Sequence, residues 1–179
     1  MTKTVLPISV LILAKTAALR SSIEQRQLDR AIASAQFAVE VKVIEHADPI
    51  KDFAHARNLA LKQASNDWVF FLDSDEWFAD SAPQAIMELL SDKHVAGITI
   101  RRVDVFHDKQ LEHGETGSHY LLRFMRRDKS CFIRPVHENA QINGLVIRHN
   151  LTIWHETHHD IADFWQTICN YAELDAEWR

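Results

Sequence analysis

The chain has 179 residues, 46% of them apolar, enough for one hydrophobic core and short of two full domains. Twenty Lys and Arg against 25 Asp and Glu give a net charge of -5 with no long block of either sign, which argues against a nucleic-acid protein held by a strongly basic face. Four glycines and four prolines exclude a loop-rich β-sandwich and a glycine-rich phosphate cradle, so any phosphate bound here must be neutralised in another way.

The first apolar run, residues 5–14, lies between Lys3 and Lys15 and is roughly half the length a membrane span needs. Lys15 interrupts it before a signal-peptide cleavage site, so it reads as a buried strand over 7–13. A helix follows, capped by Ser21 or Ser22, with Ile23, Leu28, Ala31, Ile32 and Ala35 at near-helical spacing. Residues 39–44 make a second strand, and Asp48-Pro49 breaks the pattern. A second helix over 53–64 carries Phe53, Ala56, Ala60 and Ala64 on one stripe; Asn66-Asp67 ends it before the strand Trp68-Val69-Phe70-Phe71-Leu72. Strand, helix, strand, helix, strand is the pattern of an open α/β sheet.

Pro83 then fits the first turn of a helix whose Ile86, Leu89 and Leu90 face inward. Residues 98–106, 120–127 and 145–154 alternate or run β-branched, as antiparallel or mixed strands do. A last helix starts at Asp160 and presents Ile161, Phe164, Trp165, Ile168, Tyr171 and Ala172 as a broad apolar face. Cys131 and Cys169 show neither CxxC nor zinc-ligand spacing, which places the chain by default in a reducing cytoplasm.

The stretch with the most chemistry is Asp73-Ser74-Asp75-Glu76, directly after five apolar strand residues. In open α/β sheets ligands sit beyond the carboxyl ends of the strands, where these carboxylates emerge. Adjacent hard oxygen ligands suit a Mg²⁺ or Mn²⁺ that bridges the protein and a diphosphate. The bland alternative is an acidic turn capping the next helix. A phosphatase of the haloacid-dehalogenase type also places D-x-D after a strand, but its motif has Thr or Val where Trp77 stands here.

Ahead of this turn run Ala56-Arg57-Asn58-Leu59-Ala60-Leu61 and the aromatic strand, and beyond it lie Leu122-Arg123-Phe124-Met125-Arg126-Arg127, Arg134-Pro135-Val136-His137-Glu138 and Trp154-His155. On these motifs, over roughly residues 50 to 175, the chain resembles the family 2 glycosyltransferases of the GT-A fold, in the branch of the lipopolysaccharide core glucosyltransferases. The resemblance implies an α/β fold with a mixed, Rossmann-like sheet flanked by helices, in one domain whose nucleotide-binding half is 1–80 and acceptor half 81–179. It implies a metal-dependent, inverting hexosyl transfer from a nucleotide-sugar to an envelope glycan or glycolipid, in the cytoplasm at the inner face of the membrane.

Residue by residue, it implies Asp75 on the divalent cation (Mg²⁺ or Mn²⁺), Asp73 on the ribose or sharing the metal through water, and His155 as an extra ligand. Glu138 becomes the base that takes the acceptor's proton, beside His137 and Arg134. Arg57 and Asn58 become donor-binding residues, Arg57 at a phosphate or nucleobase, although an Arg there is as often ion-paired. The family's Asn-Glu pair after strand one and D-x-x-S-x-D after strand two are replaced by Ala14-Lys15-Thr16 and Glu45-His46-Ala47-Asp48. Either Glu45 or Asp48 serves the nucleoside, or this part of the site has degraded; the alternative function is then a non-catalytic relative that binds a nucleotide-sugar or a partner.

Eleven histidines are many, and seven follow residue 110, yet no H-E-x-x-H appears. Arg101, Arg102, Arg123, Arg126 and Arg127 are candidates for an anionic acceptor, against ordinary charge pairing on strand faces. Trp77, Phe78 and Trp154 are candidates for stacking on a sugar ring or for the core.

Overall fold

The computed structural model describes residues 5–47, 50, 52–106, 109–111, 118–134, 139–156, 165 and 169. Among them the chain order is β1 (Leu6–Lys15), α1 (Ser22–Ser34), β2 (Ala38–His46), α2 (Phe53–Gln63), β3 (Trp68–Asp73), β4 (Glu76–Phe78), α3 (Ala82–Leu89), β5 (Val95–Phe106), β6 (Lys109–Gln110), β7 (Ser118–Arg126), β8 (Ser130–Ile133), β9 (Asn139–Ile142) and β10 (Leu145–Glu156). The strands form an eight-stranded sheet in the order β2-β1-β3-β7-β5-β10-β4, with β6 beside β5, and a separate β8-β9 hairpin.

Strand β1 is central: every residue from Ile8 to Ala14 is buried, and β2 and β3 flank it in parallel. That accounts for its continuous apolar run, since parallel strands are covered on both faces. One face packs Ile8, Val10 and Ile12 with Phe70 against Leu28 and Ala31 of α1 and Ile86 of α3. The other packs Leu11, Val69 and Phe71 against Ala54, Ala60 and Leu61 of α2 and Phe132 of β8. Sheet and helices therefore make the expected α/β layers, and the sheet is mixed: β7 runs antiparallel to β3 and β5, whereas β10 runs parallel to β5.

Helix α1 begins with a capping box, the Ser21 hydroxyl accepting from the Glu24 N–H while the Glu24 carboxylate accepts from the Ser21 N–H. In α2 the buried face is Ala54, Arg57, Ala60 and Leu61. Ala60 and Ala64 of the expected stripe are buried in the core and Ala56 packs against it half-buried, Ala64 standing just past the helix end; Arg57 joins the buried face, turned toward Asp73. Three short features lie outside the sequence-based expectation: β4, β6 and the β8-β9 hairpin. The helix expected from residue 160 falls almost wholly outside the described residues; Trp165 and Cys169 are helical, and Trp165 is exposed. No helix among the described residues is long and apolar enough to cross a membrane.

Candidate active site

Strands β1, β2, β3, β5 and β10 all end at one edge of the sheet, and β3 delivers Asp73 there, level with Leu13 of β1. The chain turns at Ser74 and Asp75 and re-enters the sheet at Glu76, the start of β4, which pairs antiparallel with the end of β10. Glu76 stands opposite His155, and His155 opposite Asp104 of β5, so three titratable groups lie side by side on neighbouring strands. The Glu156 N–H donates to the Asp75 carbonyl at 3.0 Å and ties the acidic turn to β10.

Charge is arranged closely around this turn. Arg57 donates to Asp73 Oδ1 at 2.9 Å and Arg123 to Asp73 Oδ2 at 2.5 Å. Arg123 also donates to Glu76 Oε1 at 3.0 Å, and the Asp73 N–H donates to Glu76 Oε2 at 3.0 Å. Arg102 lies between Glu76 and Asp104, at 3.8 and 3.5 Å. Burial works against ionisation of Asp73, but Arg123 and Arg57 outweigh it and hold its carboxyl below the usual range. Glu76, with no exposed surface, is pushed up by burial, with the neighbouring Asp73 adding to that against Arg123.

His155 is held on both sides. Its Nδ1 lies 2.8 Å from Asp104 Oδ1 and its Nε2 3.4 Å from Asp75 Oδ2. Burial disfavours the charged imidazole, yet the carboxylates of Asp104 and Asp75 outweigh that and raise its pKa to about 10. Asp75 is about one-third exposed and, among the described residues, is the carboxylate of this group with no arginine ion pair.

A divalent cation fits Asp75 and His155. Adjacent donors of an octahedral ion with bonds of about 2.1 Å stand about 3 Å apart, close to the observed separation. Among the described residues no group of three or more His, Cys, Asp or Glu is placed to hold a metal ion. Such a pair suits an ion that takes its other ligands from water and phosphate oxygens. Asp73, by contrast, has both oxygens committed to arginines, which leaves it poorly placed as a direct ligand or as a phosphatase nucleophile.

The structure brings together Arg57, Asp73, Asp75 and His155, but not every residue singled out in the sequence. Arg57 is buried and ion-paired with Asp73, so it positions the acidic turn rather than reaching outward for a phosphate. Asn58 points elsewhere: its amide donates to the Phe132 carbonyl and accepts from the Phe132 N–H, both at 2.9 Å. Glu45 stands level with Ala14, one register position from the Asp73 row and so on the opposite face, ion-paired with Arg20. Arg134 is exposed at the end of β8 with φ of 69°, a left-handed backbone that side-chain-bearing residues seldom adopt. Asp48, His137 and Glu138 lie outside the described residues.

Four of the five arginines that are candidates for an anionic acceptor are engaged internally. Arg123 and Arg102 hold the acidic cluster, Arg126 donates to the Val95 carbonyl and covers Trp68, and Arg127 donates to the Ala64 carbonyl. Trp77 lies under the Arg30 guanidinium, 3.5 Å from it, and Phe78 belongs to the core. Asp104 lies outside the sequence-based expectation. Its one sequence signal is that Arg102 and Asp104 are charged residues at alternate positions of one strand, and so share a face.

A family model described as "Glycosyl transferase family 2" matches residues 27–164. Among curated proteins, a TPR repeat-containing protein from Synechococcus elongatus is 28% identical over 113 residues, 63% of this chain and 27% of that protein. The chain thus spans about a quarter of the curated relative it matches. Among solved structures, S. aureus TarS 1-349 is 12% identical, with a TM-score of 0.50 over 94% of this chain and 65% of that one. The same protein in complex with UDP gives 12% identity and 0.54 over 90% and 63%, and in complex with UDP-GlcNAc 12% and 0.51 over 87% and 60%. These likenesses show a shared fold, and in each case less than two-thirds of the neighbour's length is spanned.

Proposed function

This chain belongs to glycosyl transferase family 2, and from that we propose that it moves a hexosyl group from a nucleotide-sugar to an envelope glycan or glycolipid, with inversion and with a divalent cation. The observation that carries the reading is the pair Asp75 and His155, facing each other at 3.4 Å on the edge where the strands end. Asp75 and His155 would hold Mn²⁺ or Mg²⁺, and such an ion, when bound, offsets negative charge on the departing nucleoside diphosphate. A fold neighbour, TarS, has been solved with UDP and with UDP-GlcNAc, which favours a uridine nucleotide as the first donor to test.

The chain's own residues have distinct tasks in this scheme. Arg57 and Arg123 fix Asp73 at the end of β3, with its oxygens turned into the protein. Glu138, in the Arg134-Pro135-Val136-His137-Glu138 motif, takes the proton from the acceptor hydroxyl as that oxygen attacks the anomeric carbon opposite the leaving diphosphate. Attack from the opposite side inverts the configuration. An acceptor of the lipopolysaccharide core type, met at the inner face of the membrane, is what the resemblance of the 122–127 and 134–138 motifs suggests.

Thermal stability with Mn²⁺ or Mg²⁺ and a panel of UDP, GDP, ADP and CMP tests this. We expect one nucleotide to stabilise the protein only with metal present, by about 2.7 kcal/mol at a hundred times its Kd, and Asp75→Ala to abolish the effect. Glu138→Gln should keep that shift and lose transfer. No shift with any nucleotide overturns the transferase reading, and a shift without turnover on any acceptor supports the non-catalytic relative.

A further inference from the structure

We propose that Asp104 is a positioning residue for the metal site, holding the His155 imidazole so that Nε2 is the nitrogen offered beside Asp75. The inference rests on the metal-dependent reading above. Asp104 is 2% exposed on β5, and a carboxylate so buried is costly unless strong partners repay it. Its closest partner is His155 Nδ1 at 2.8 Å; the Arg102 Nε is farther, at 3.5 Å. An ionised carboxylate only accepts hydrogen bonds, so the imidazole proton facing it sits on Nδ1.

A cation taken up here would displace the Nε2 proton of the imidazolium, and with the remaining proton held on Nδ1 by Asp104 the lone pair is on Nε2, the atom 3.4 Å from Asp75 Oδ2. The carboxylate-histidine pair thereby selects the tautomer and sets the ring's orientation for a cation. Strand register supports the assignment. Asp104 and His155 are directly paired across parallel β5 and β10, so the contact is fixed by two backbones and not by a mobile loop. Glu76, across β4 on the other side of His155, turns its carboxylate to Arg123 and the Asp73 N–H instead.

The test uses the full chain with Mn²⁺, with and without UDP, read by calorimetry for affinity and by electron spin-echo spectroscopy for imidazole nitrogen coupled to the ion. Wild type should show that coupling, His155→Ala should lose it, and Asp104→Asn should bind Mn²⁺ about 10- to 100-fold more weakly with the coupling reduced. Because Asp104→Asn is a buried change, wild type is also followed by long-range proton-nitrogen NMR with Cd²⁺ as a diamagnetic probe; His155 should keep its proton on Nδ1 and ligate through Nε2. Unchanged Mn²⁺ affinity and coupling in a folded Asp104→Asn protein, or a Cd²⁺ complex ligated through Nδ1, overturns the role of Asp104 and leaves the metal reading standing. Absence of Mn²⁺ binding in wild type, with UDP or without it, overturns both.

Discussion

Arg123 shows how one side chain holds the acidic turn. Its guanidinium reaches Asp73 on one side and Glu76 on the other, and it is 8% exposed. Removing it leaves Glu76, which has no exposed surface, and Asp73 facing each other with less positive charge between them. Breaking a buried pair by deleting one partner typically costs about 3–5 kcal/mol. We therefore expect Arg123→Met to lose about that much in urea denaturation at pH 7. Adding Glu76→Gln should recover about 1 kcal/mol or more, since the two positions share one network and their effects do not add. A residue that served only an outside acceptor would change stability by no more than about 0.5 kcal/mol. Arg57 acts differently, since Asp73 retains Arg123 when Arg57 is lost. Arg57→Met should destabilise less than Arg123→Met in the same titration.

At the scale of elements, the β8-β9 hairpin is attached to the domain through Asn58. Both amide bonds from α2 go to the Phe132 backbone, and the Phe132 ring packs edge-on to Phe71 at 4.9 Å between centroids. Asn58→Ala leaves a buried N–H and C=O without those partners, at about 1–3 kcal/mol. Hydrogen exchange should then quicken at Phe132 and its β9 neighbours while β1 stays protected; uniform change along the chain would refute the anchoring role. Elements such as β1, α1 and β3 were legible in the sequence because apolar runs, a serine cap and Asn66-Asp67 are local signals. The acidic turn was legible for the same reason, being adjacent to an unmistakable strand. Strand β4 was not, since three residues carry no periodicity and Glu76-Trp77-Phe78 is extended only because β10 offers an edge at 153–155. Asp104 was hidden for a related reason. Its partner is 51 residues away, and only the β5-β10 register brings them together. Local sequence does not tell which way a helix face turns, so it leaves Arg57 open between a donor contact and an ion pair.

For the molecule as a whole, the folded state treats its carboxyls unequally, and acid stability follows from the difference. Glu40 sits at the outer strand β2 and joins three parts of the fold: it accepts from the Ser9 hydroxyl of β1, from the Ser65 N–H and hydroxyl beyond α2, and pairs with Lys42. Burial opposes its ionisation, but hydrogen bonds from Lys42, Ser9 and Ser65 prevail and lower its pKa from 4.5 to about 2. A carboxyl with a depressed folded pKa contributes stability above its unfolded value, and that contribution fades as pH falls from about 4.5 toward 2. Asp73 has the same sign, with its loss reserved for stronger acid. Glu76 has the opposite sign. Its raised pKa means the folded state takes up a proton more readily than the unfolded chain, so acidification from above down to about 4.5 favours folding at this one position. Glu40→Gln separates these contributions. At pH 7 it should lower stability by about 1–2 kcal/mol, the loss of charge-assisted hydrogen bonds at a half-buried site. Between pH 4.5 and 2.5 its thermal midpoint should fall less steeply than that of wild type, so that the two curves converge in acid. Parallel curves through that window would show that Glu40 is not held in its ionised form by the three segments it joins.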